Sequence, residues 1–134
     1  MFHKYVVALL VVATTSALEA ESARAARLEG SWSGGGRVWL AAGGKEYARC
    51  RANYSRRSGE RYVVTAVCAT PSVRVVQTAF LRRAGNDRYK GTFVNREYRV
   101  SGSIVIRVWG NRQTVRLTSS SGWASLRLSR VLRH

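Results

Sequence analysis

The fold of this chain is decided by residues 28–40, which read LEGSWSGGGRVWL. The residues before this stretch are typical of an export signal, and those after it form short segments in which apolar and polar side chains alternate. The stretch itself predicts a β-strand from about Ser31 to Leu40. Its three consecutive glycines weaken the strand and indicate a bend or a bulge. We expect the large ring of Trp32 to fill one end of the structure.

Residues 1–17 are typical of a secretory signal peptide, with a weakly basic start, a short apolar core and small residues near the cleavage point. The apolar core has eight residues, whereas a bilayer-spanning helix needs about 20, so we expect no transmembrane span in the mature chain. Cleavage after Ala17 leaves a leader over 18–29, which we expect to be mobile, and a single domain over 30–134. Two other cleavage positions also fit, after Ala20 and after Ala25.

Seven further strands are predicted after the first, and most are separated by turns rich in Gly, Asn or Ser. No segment after residue 30 has helical periodicity, so the predicted domain is all-β. Eight consecutive strands joined by short turns favour an antiparallel up-and-down barrel, because closure removes the exposed edges of a sheet. A β-sandwich is the alternative. The approximate bounds of the seven strands are 47–54, 61–69, 73–81, 88–94, 98–109, 113–118 and 123–131.

Two cysteines, Cys50 and Cys68, lie on neighbouring predicted strands. In an exported chain such a pair is expected to form a disulfide, and this one closes a loop of about 18 residues, which is worth roughly 3 kcal/mol in the chain-entropy model. Pairing the cysteines across an antiparallel hairpin centres the turn on Gly59, a residue that readily takes a positive φ. The same register sets Tyr54 opposite Val64.

The chain is strongly basic, with 23 Lys and Arg against seven Asp and Glu, and 20 of the basic residues are Arg. Cleavage after Ala17 leaves 22 basic and seven acidic residues, a net charge of +15. Such a charge favours anionic partners, and Arg suits bidentate contact with phosphate or carboxylate. An ordinary solvated basic surface is the alternative explanation. The candidate anion-binding residues are Arg49, Arg51, Arg56 and Arg57, and a second basic group contains Arg74, Arg82, Arg83 and Arg88.

Residue combinations that support catalysis or metal binding are missing from the predicted domain. The two histidines are His3, inside the predicted signal, and His134, so we expect no Ser–His, Cys–His or His–metal arrangement. The acidic residues are scattered and form no close pair in the sequence. We therefore predict no enzyme activity, no catalytic residue, no metal and no cofactor.

Four motifs occur together: Gly30-Ser31-Trp32-Ser33-Gly34-Gly35-Gly36, Arg49-Cys50-Arg51-Ala52-Asn53-Tyr54, Val67-Cys68-Ala69-Thr70 and Gly110-Asn111-Arg112-Gln113-Thr114-Val115. Their combination resembles a family of small exported β-barrel proteins from rhizobium-type alphaproteobacteria, and the resemblance covers essentially the whole mature chain. It implies a periplasmic or secreted location and the barrel fold. It implies no site residues, because that family has no assigned function.

The Gly-x-Trp pair on the first strand, Gly30 and Trp32, is similar to a pair that lipocalin-like and avidin-like barrels carry there, and Gly34 completes this structural motif. More distantly, the chain resembles the small periplasmic inhibitors of secreted metalloproteases, which are eight-stranded barrels with one disulfide. In those inhibitors an N-terminal segment enters the protease cleft, and the resemblance implies this role for residues 18–29.

The sequence predicts a non-catalytic exported binding protein whose Arg-rich outer face contacts anionic envelope components, such as glycolipid, acidic lipid or polysaccharide. A periplasmic protease inhibitor is the alternative. Interleaved Arg and aromatic residues also suit nucleic acid, but the expected compartment argues against that partner. If a small apolar ligand binds instead, we expect it inside the barrel near Trp32 and Tyr54.

Overall fold

The computed structural model describes residues 28–132. Within this range, segments of alternating apolar and polar residues form eight strands. Each strand pairs antiparallel with its neighbour in the chain, and the last pairs with the first, so the sheet closes into a barrel. This confirms the predicted up-and-down barrel and shows that the sandwich alternative is wrong. The strands are β1 Gly30–Leu40, β2 Lys45–Ser58, β3 Arg61–Ala69, β4 Arg74–Arg83, β5 Arg88–Asn95, β6 Val100–Trp109, β7 Arg112–Ser119 and β8 Gly122–Arg130.

Strand β2 shows how the alternation positions the core. Ala48, Cys50, Ala52 and Tyr54 are buried inside the barrel, while the residues between them are exposed on its outer wall. Because successive side chains of a strand point to opposite faces, one alternating segment supplies both the core and the surface. The other strands repeat this arrangement, and their inward residues join a single hydrophobic cluster.

The register between β2 and β3 matches the prediction. Cys50 lies opposite Cys68 and forms the disulfide with it, and Tyr54 lies opposite Val64. Gly59 has a φ of 55° in the intervening turn, a conformation that favours glycine. The register shifts only between Arg56 and Ser58, at the end of the hairpin.

The three glycines of β1 do not form the bulge that the sequence predicts. Their pairing with β2 and with β8 runs without interruption from Trp32 to Trp39, so β1 contains no bulge. A Cβ on Gly34 or Gly36 would instead overlap the backbone carbonyl oxygen of Arg127 or Ser125 on β8. The missing side chains therefore allow β8 to pass close to β1, where the barrel closes.

The start of β6 also differs from the prediction, which began this strand at Tyr98. Residues 96–99 form a turn, and β6 begins at Val100. The buried side-chain oxygen Oδ1 of Asn95 accepts a hydrogen bond from the backbone N–H of Tyr98 at 3.1 Å. Arg99 takes a positive φ of 52° there, which ends the turn and starts the strand.

Packing of the barrel begins two residues before the predicted domain boundary. Leu28 is completely buried, and the backbone carbonyl of Glu29 accepts a hydrogen bond from Arg130. These two residues belong to the predicted leader, but they pack against the barrel. The predicted signal peptide, its cleavage positions and the rest of the leader lie outside the described residues. No helix within 28–132 is long and apolar enough to cross a membrane.

Candidate ligand-binding cavity and basic outer face

One end of the barrel, here called the closed end, is filled by Trp32. Its ring is completely buried, and its Nε1–H donates a hydrogen bond to the carbonyl of Leu28 at 3.0 Å. The guanidinium of Arg130 lies 4.4 Å from the centre of the ring, and Nη1 of Arg130 donates to the carbonyl of Glu29 at 2.7 Å. Trp32 and Arg130 therefore form a cation–π contact with each other, and each also donates a hydrogen bond to a backbone carbonyl just before β1. Burial lowers the pKa of Arg130, yet a guanidinium keeps its charge at neutral pH.

A second layer of aromatic side chains lies behind Trp32. The hydroxyl of Tyr54 donates a hydrogen bond of 2.6 Å to Oε1 of Gln113, and both side chains are buried. Burial raises the pKa of Tyr54 well above its ordinary value, because the charged phenolate loses its hydration there. The rings of Tyr62 and Tyr89 meet edge to face at 5.3 Å. Two of the quoted sequence motifs, those containing Tyr54 and Gln113, therefore meet inside the closed end.

The opposite end, here called the open end, contains a cavity of about 220 Å³ that opens to solvent. Small and medium apolar side chains form most of its wall, and the disulfide between Cys50 and Cys68 is part of that wall. The apolar wall is formed chiefly by Val38, Ala48, Val73, Val75, Phe93, Val100, Leu117, Ala124 and Leu126.

A few polar groups also line this cavity. Oε2 of Glu46 accepts a hydrogen bond from the hydroxyl of Ser72 at 2.9 Å, and Asn95 is held by the turn that it caps. The other polar side chains along the wall are those of Thr70, Gln77, Ser119 and Ser121. A mainly apolar concave surface with a small number of polar groups is the usual construction of a small-molecule site. An apolar cavity of about 150 Å³ can hold benzene, so this one has room for an aromatic ring or a short acyl chain.

The sequence predicts that a small apolar ligand would lie near Trp32 and Tyr54, but the cavity lies at the opposite end of the barrel. Trp32 fills the closed end itself and does not line the cavity. Tyr54 lines only a narrow space of about 30 Å³ further inside the barrel. The larger space lies at the other end, because the inward positions there carry smaller residues such as Ala48 and Ala124.

The four candidate anion-binding arginines are all exposed but do not form one patch. Arg49 and Arg51 lie on the outer wall of β2, on either side of the inward Cys50. Arg56 and Arg57 lie near the turn of the β2–β3 hairpin, where Nε of Arg56 donates to the carbonyl of Gly59 at 2.8 Å. The structure therefore divides the predicted group between the wall and the closed end.

The register reveals a basic row on the outer wall that the sequence analysis missed. The row starts at Arg49 and crosses β1, β8, β7, β6 and β5 through successive paired residues. The pairing of β8 with β1 brings Arg49 into line with Arg127, and no turn in the sequence indicates that these two strands pair. The members of the row are Arg49, Gly35, Arg127, Thr114, Arg107 and Arg88.

Basic side chains outnumber acidic ones in the part of the chain that the structure describes. Residues 28–132 contain 19 Lys and Arg and five Asp and Glu. Arg83 contacts Glu60 at 3.4 Å, but even complete pairing of the acids would leave 14 cations without an acid of their own. The outside of the barrel is thus a source of positive potential.

Residues 28–132 contain no histidine and no group of three His, Cys, Asp or Glu side chains that could hold a metal ion. Both cysteines are joined in the disulfide. The groups that line the cavity can bind a ligand through apolar contact and a few hydrogen bonds.

No family model matches this chain, and no curated protein matches its sequence. Among solved structures, the chain is similar to a redesigned β-barrel, mFAP1, bound to DFHBI. The identity is 14%, the TM-score is 0.67, and the match covers 80% of this chain and 98% of that one. It is also similar to a de novo designed fluorescence-activating β-barrel, with 14% identity, a TM-score of 0.63, and coverage of 80% and 96%. At such low identities the similarity shows the barrel fold alone.

Proposed function

We propose that this chain is an exported, non-catalytic binding protein for an anionic amphiphile of the cell envelope, such as an acidic lipid or a glycolipid. In this proposal the cavity takes an apolar group of the ligand, and the basic exterior attracts the charged part. The observation that carries the proposal is the apolar cavity of about 220 Å³, which opens to solvent at one end of a strongly basic barrel.

The cavity and the charge support the same class of ligand. An apolar wall stabilises a bound hydrocarbon or ring by removing it from water, at about 25 cal/mol for each Å² buried. The excess positive charge raises the local concentration of anions and speeds their association. An acidic polysaccharide would use the outer charge but has no apolar group for the cavity, so we place lipid before polymer.

The disulfide supports export, because such bonds persist mainly in oxidising compartments. Cys50 and Cys68 form this bond inside the barrel. The protease-inhibitor alternative depends on residues 18–29, of which the structure describes only Leu28 and Glu29. No contact of these two residues favours that alternative, since both pack against the closed end.

The proposal can be tested with two soluble probes, anilinonaphthalene sulfonate and decanoate, each of which has an apolar part and one negative charge. We expect saturable binding of the fluorescent sulfonate, competition by decanoate, and weaker binding of both at high salt. The variant Ala124→Phe places a ring inside the cavity and should lower the affinity for both ligands by at least about tenfold.

The matched control is Ala69→Phe, because Ala69 is exposed on the outer wall of β3 near the same end. This variant should bind as the unaltered protein does. Thermal unfolding of both variants checks that the barrel is intact, and Ala48→Leu replaces Ala124→Phe if the latter does not fold. Equal affinity of the cavity-filling variant and the control, or no binding by the unaltered protein, would contradict the proposal.

A further inference from the structure

The rim of the open end is lined by large apolar side chains that remain exposed. Leu40, Tyr98 and Trp123 are each close to half exposed, and all three line the mouth of the cavity together with the partly buried Trp39. Single exposed apolar residues are ordinary on a protein surface, but these surround one opening. We call Trp39, Leu40, Tyr98 and Trp123 the aromatic rim.

Two members of the aromatic rim are held together by the sheet. Trp39 on β1 pairs with Trp123 on β8, and their rings stack at a distance of 3.7 Å with 10° between the planes. Val38 and Ala124, which are sequence neighbours of the two tryptophans, face the interior. Because side chains alternate along a strand, the stack of Trp39 and Trp123 lies on the outer side of the wall. The stack holds a broad apolar surface in a fixed orientation at the rim.

Positive charge surrounds the same rim. Lys45, Arg74, Arg96 and Arg99 lie in or beside the turns at the open end, and the acids there are Glu46 and Glu97. Glu46 is partly buried and accepts a hydrogen bond from Ser72. The charge at this end is therefore net positive and complements an anionic surface.

We propose that the open rim is a docking surface for an anionic lipid bilayer, so that the barrel meets the bilayer with the mouth of its cavity. Trp and Tyr side chains favour the interface between headgroups and hydrocarbon, since one part of each ring system is apolar and another forms hydrogen bonds. Lys and Arg close to an anionic surface add electrostatic attraction. This inference rests on the proposed function, because docking would bring the cavity to the place where an acidic lipid is found.

The closed end supplies a matched control for the aromatic rim. Trp109 is 51% exposed at the end of β6, and Trp123 is 44% exposed at the start of β8. The two tryptophans have similar exposure but lie at opposite ends of the barrel. The same substitution at each position therefore separates a specific rim effect from a general loss of apolar surface.

Binding to vesicles tests the proposal directly. We expect the mature chain, without residues 1–17, to sediment with vesicles of phosphatidylglycerol and phosphatidylcholine, and to remain in solution with phosphatidylcholine alone. The variant Trp123→Ser should lower the partition coefficient for the anionic vesicles by on the order of tenfold, since it removes one large apolar contact. Trp109→Ser should change it less than about twofold.

Charge at the rim can be tested in the same way. The double variant Arg96→Gln with Arg99→Asn removes two rim cations, and Asn tolerates the positive φ at position 99. We expect roughly a tenfold or greater loss of partitioning. The control Arg56→Gln with Arg57→Gln removes two cations near the closed end and should have a smaller effect. Equal effects of the two double variants would mean that charge attracts the whole molecule without orienting it, which would overturn the docking surface.

The outcomes distinguish this inference from the proposed function. Decanoate binding without vesicle binding would overturn the docking surface and leave the cavity site standing. Vesicle binding by the unaltered protein and by Ala124→Phe, without decanoate binding by either, would overturn the cavity site and leave the docking surface. Binding to an acidic polysaccharide such as alginate, with none to vesicles, would show that the partner is a polymer.

Discussion

The two ends of the barrel are built from the same eight strands but have opposite character. At the closed end, Trp32, Tyr54 and Tyr89 are buried, and Trp32 and Tyr54 donate hydrogen bonds. At the open end, small inward residues leave a cavity, and Trp123 and Tyr98 are exposed around it. The closed end therefore contributes mainly to stability, while the open end leaves a cavity and large apolar side chains accessible to solvent.

Loss of Trp32 should destabilise the barrel the most. Trp32→Ala removes a completely buried ring and should lower the free energy of unfolding by about 3–5 kcal/mol. Trp123→Ala removes an exposed ring and one stacking contact, so we expect a loss of only about 0.5–1.5 kcal/mol. Urea unfolding of both variants measures the difference. Similar losses would contradict the conclusion that the closed end contributes more to stability than the open end.

Removing the disulfide tests whether the open half depends on a covalent link. The double variant Cys50→Ala with Cys68→Ala should lose up to about 3 kcal/mol, as expected for the loop that this bond closes. It also widens the cavity wall, because both cysteines line it. We therefore expect decanoate affinity to change along with the urea midpoint. A change in stability with unaltered affinity would show that this part of the wall does not contact the ligand.

A smaller effect is expected from the hydrogen bond inside the closed end. Tyr54→Phe removes the donor to Oε1 of Gln113 and leaves a buried carbonyl oxygen without it, at a cost of about 1–3 kcal/mol at neutral pH. Calorimetric or urea unfolding at neutral pH measures this cost. An unchanged midpoint would mean that another group replaces the donor.

Alkaline pH sharpens the same test. Burial raises the pKa of Tyr54 above its ordinary value of 10.0, so the unfolded tyrosine ionises near pH 10 while the folded one stays neutral. The stability that this difference contributes is complete below pH 10 and is lost as the pH rises above it. Burial also raises the pKa values of Tyr62 and Tyr89. Tyr54→Phe should therefore have a shallower alkaline decline than the unaltered protein, but not a flat one. An equally steep decline of stability in the two proteins would argue against burial as the cause of the raised Tyr54 pKa.

Much of the fold could be predicted from local pattern. Alternation indicated the strands, and the two cysteines together with Gly59 determined the register of β2 and β3. The turn at 96–99 was missed, because its conformation depends on the buried Asn95 side chain rather than on a Gly or Pro. The role of Gly34 and Gly36 was also missed, since it depends on the neighbouring β8, which is distant in sequence.

The candidate site could be predicted less well, because it depends on how the barrel closes. The cavity is lined by small inward residues of different strands, such as Ala48 of β2 and Ala124 of β8, and no pattern within one strand shows which residues of other strands line the same space. The basic row from Arg49 to Arg127 likewise follows from the pairing of β1 with β8. Charge and alternation can be predicted well from the sequence. Which residues of distant strands become neighbours depends on how the barrel closes, and this can be seen only in the structure.

The hydrogen bond from the backbone N–H of Val131 to the carbonyl of Ser31, at 2.8 Å, joins the place where the chain enters the barrel to the place where it leaves. Entry at Leu28 and exit at Leu132 both lie at the closed end, opposite the mouth. The order of strands is therefore that of a ring with one cut, and joining 132 to 28 through a short linker would allow the cut to be moved to the exposed turn at Gly43 and Gly44. A domain fused directly before Leu28 or directly after Leu132 would start on the side away from the mouth and leave access to the cavity free.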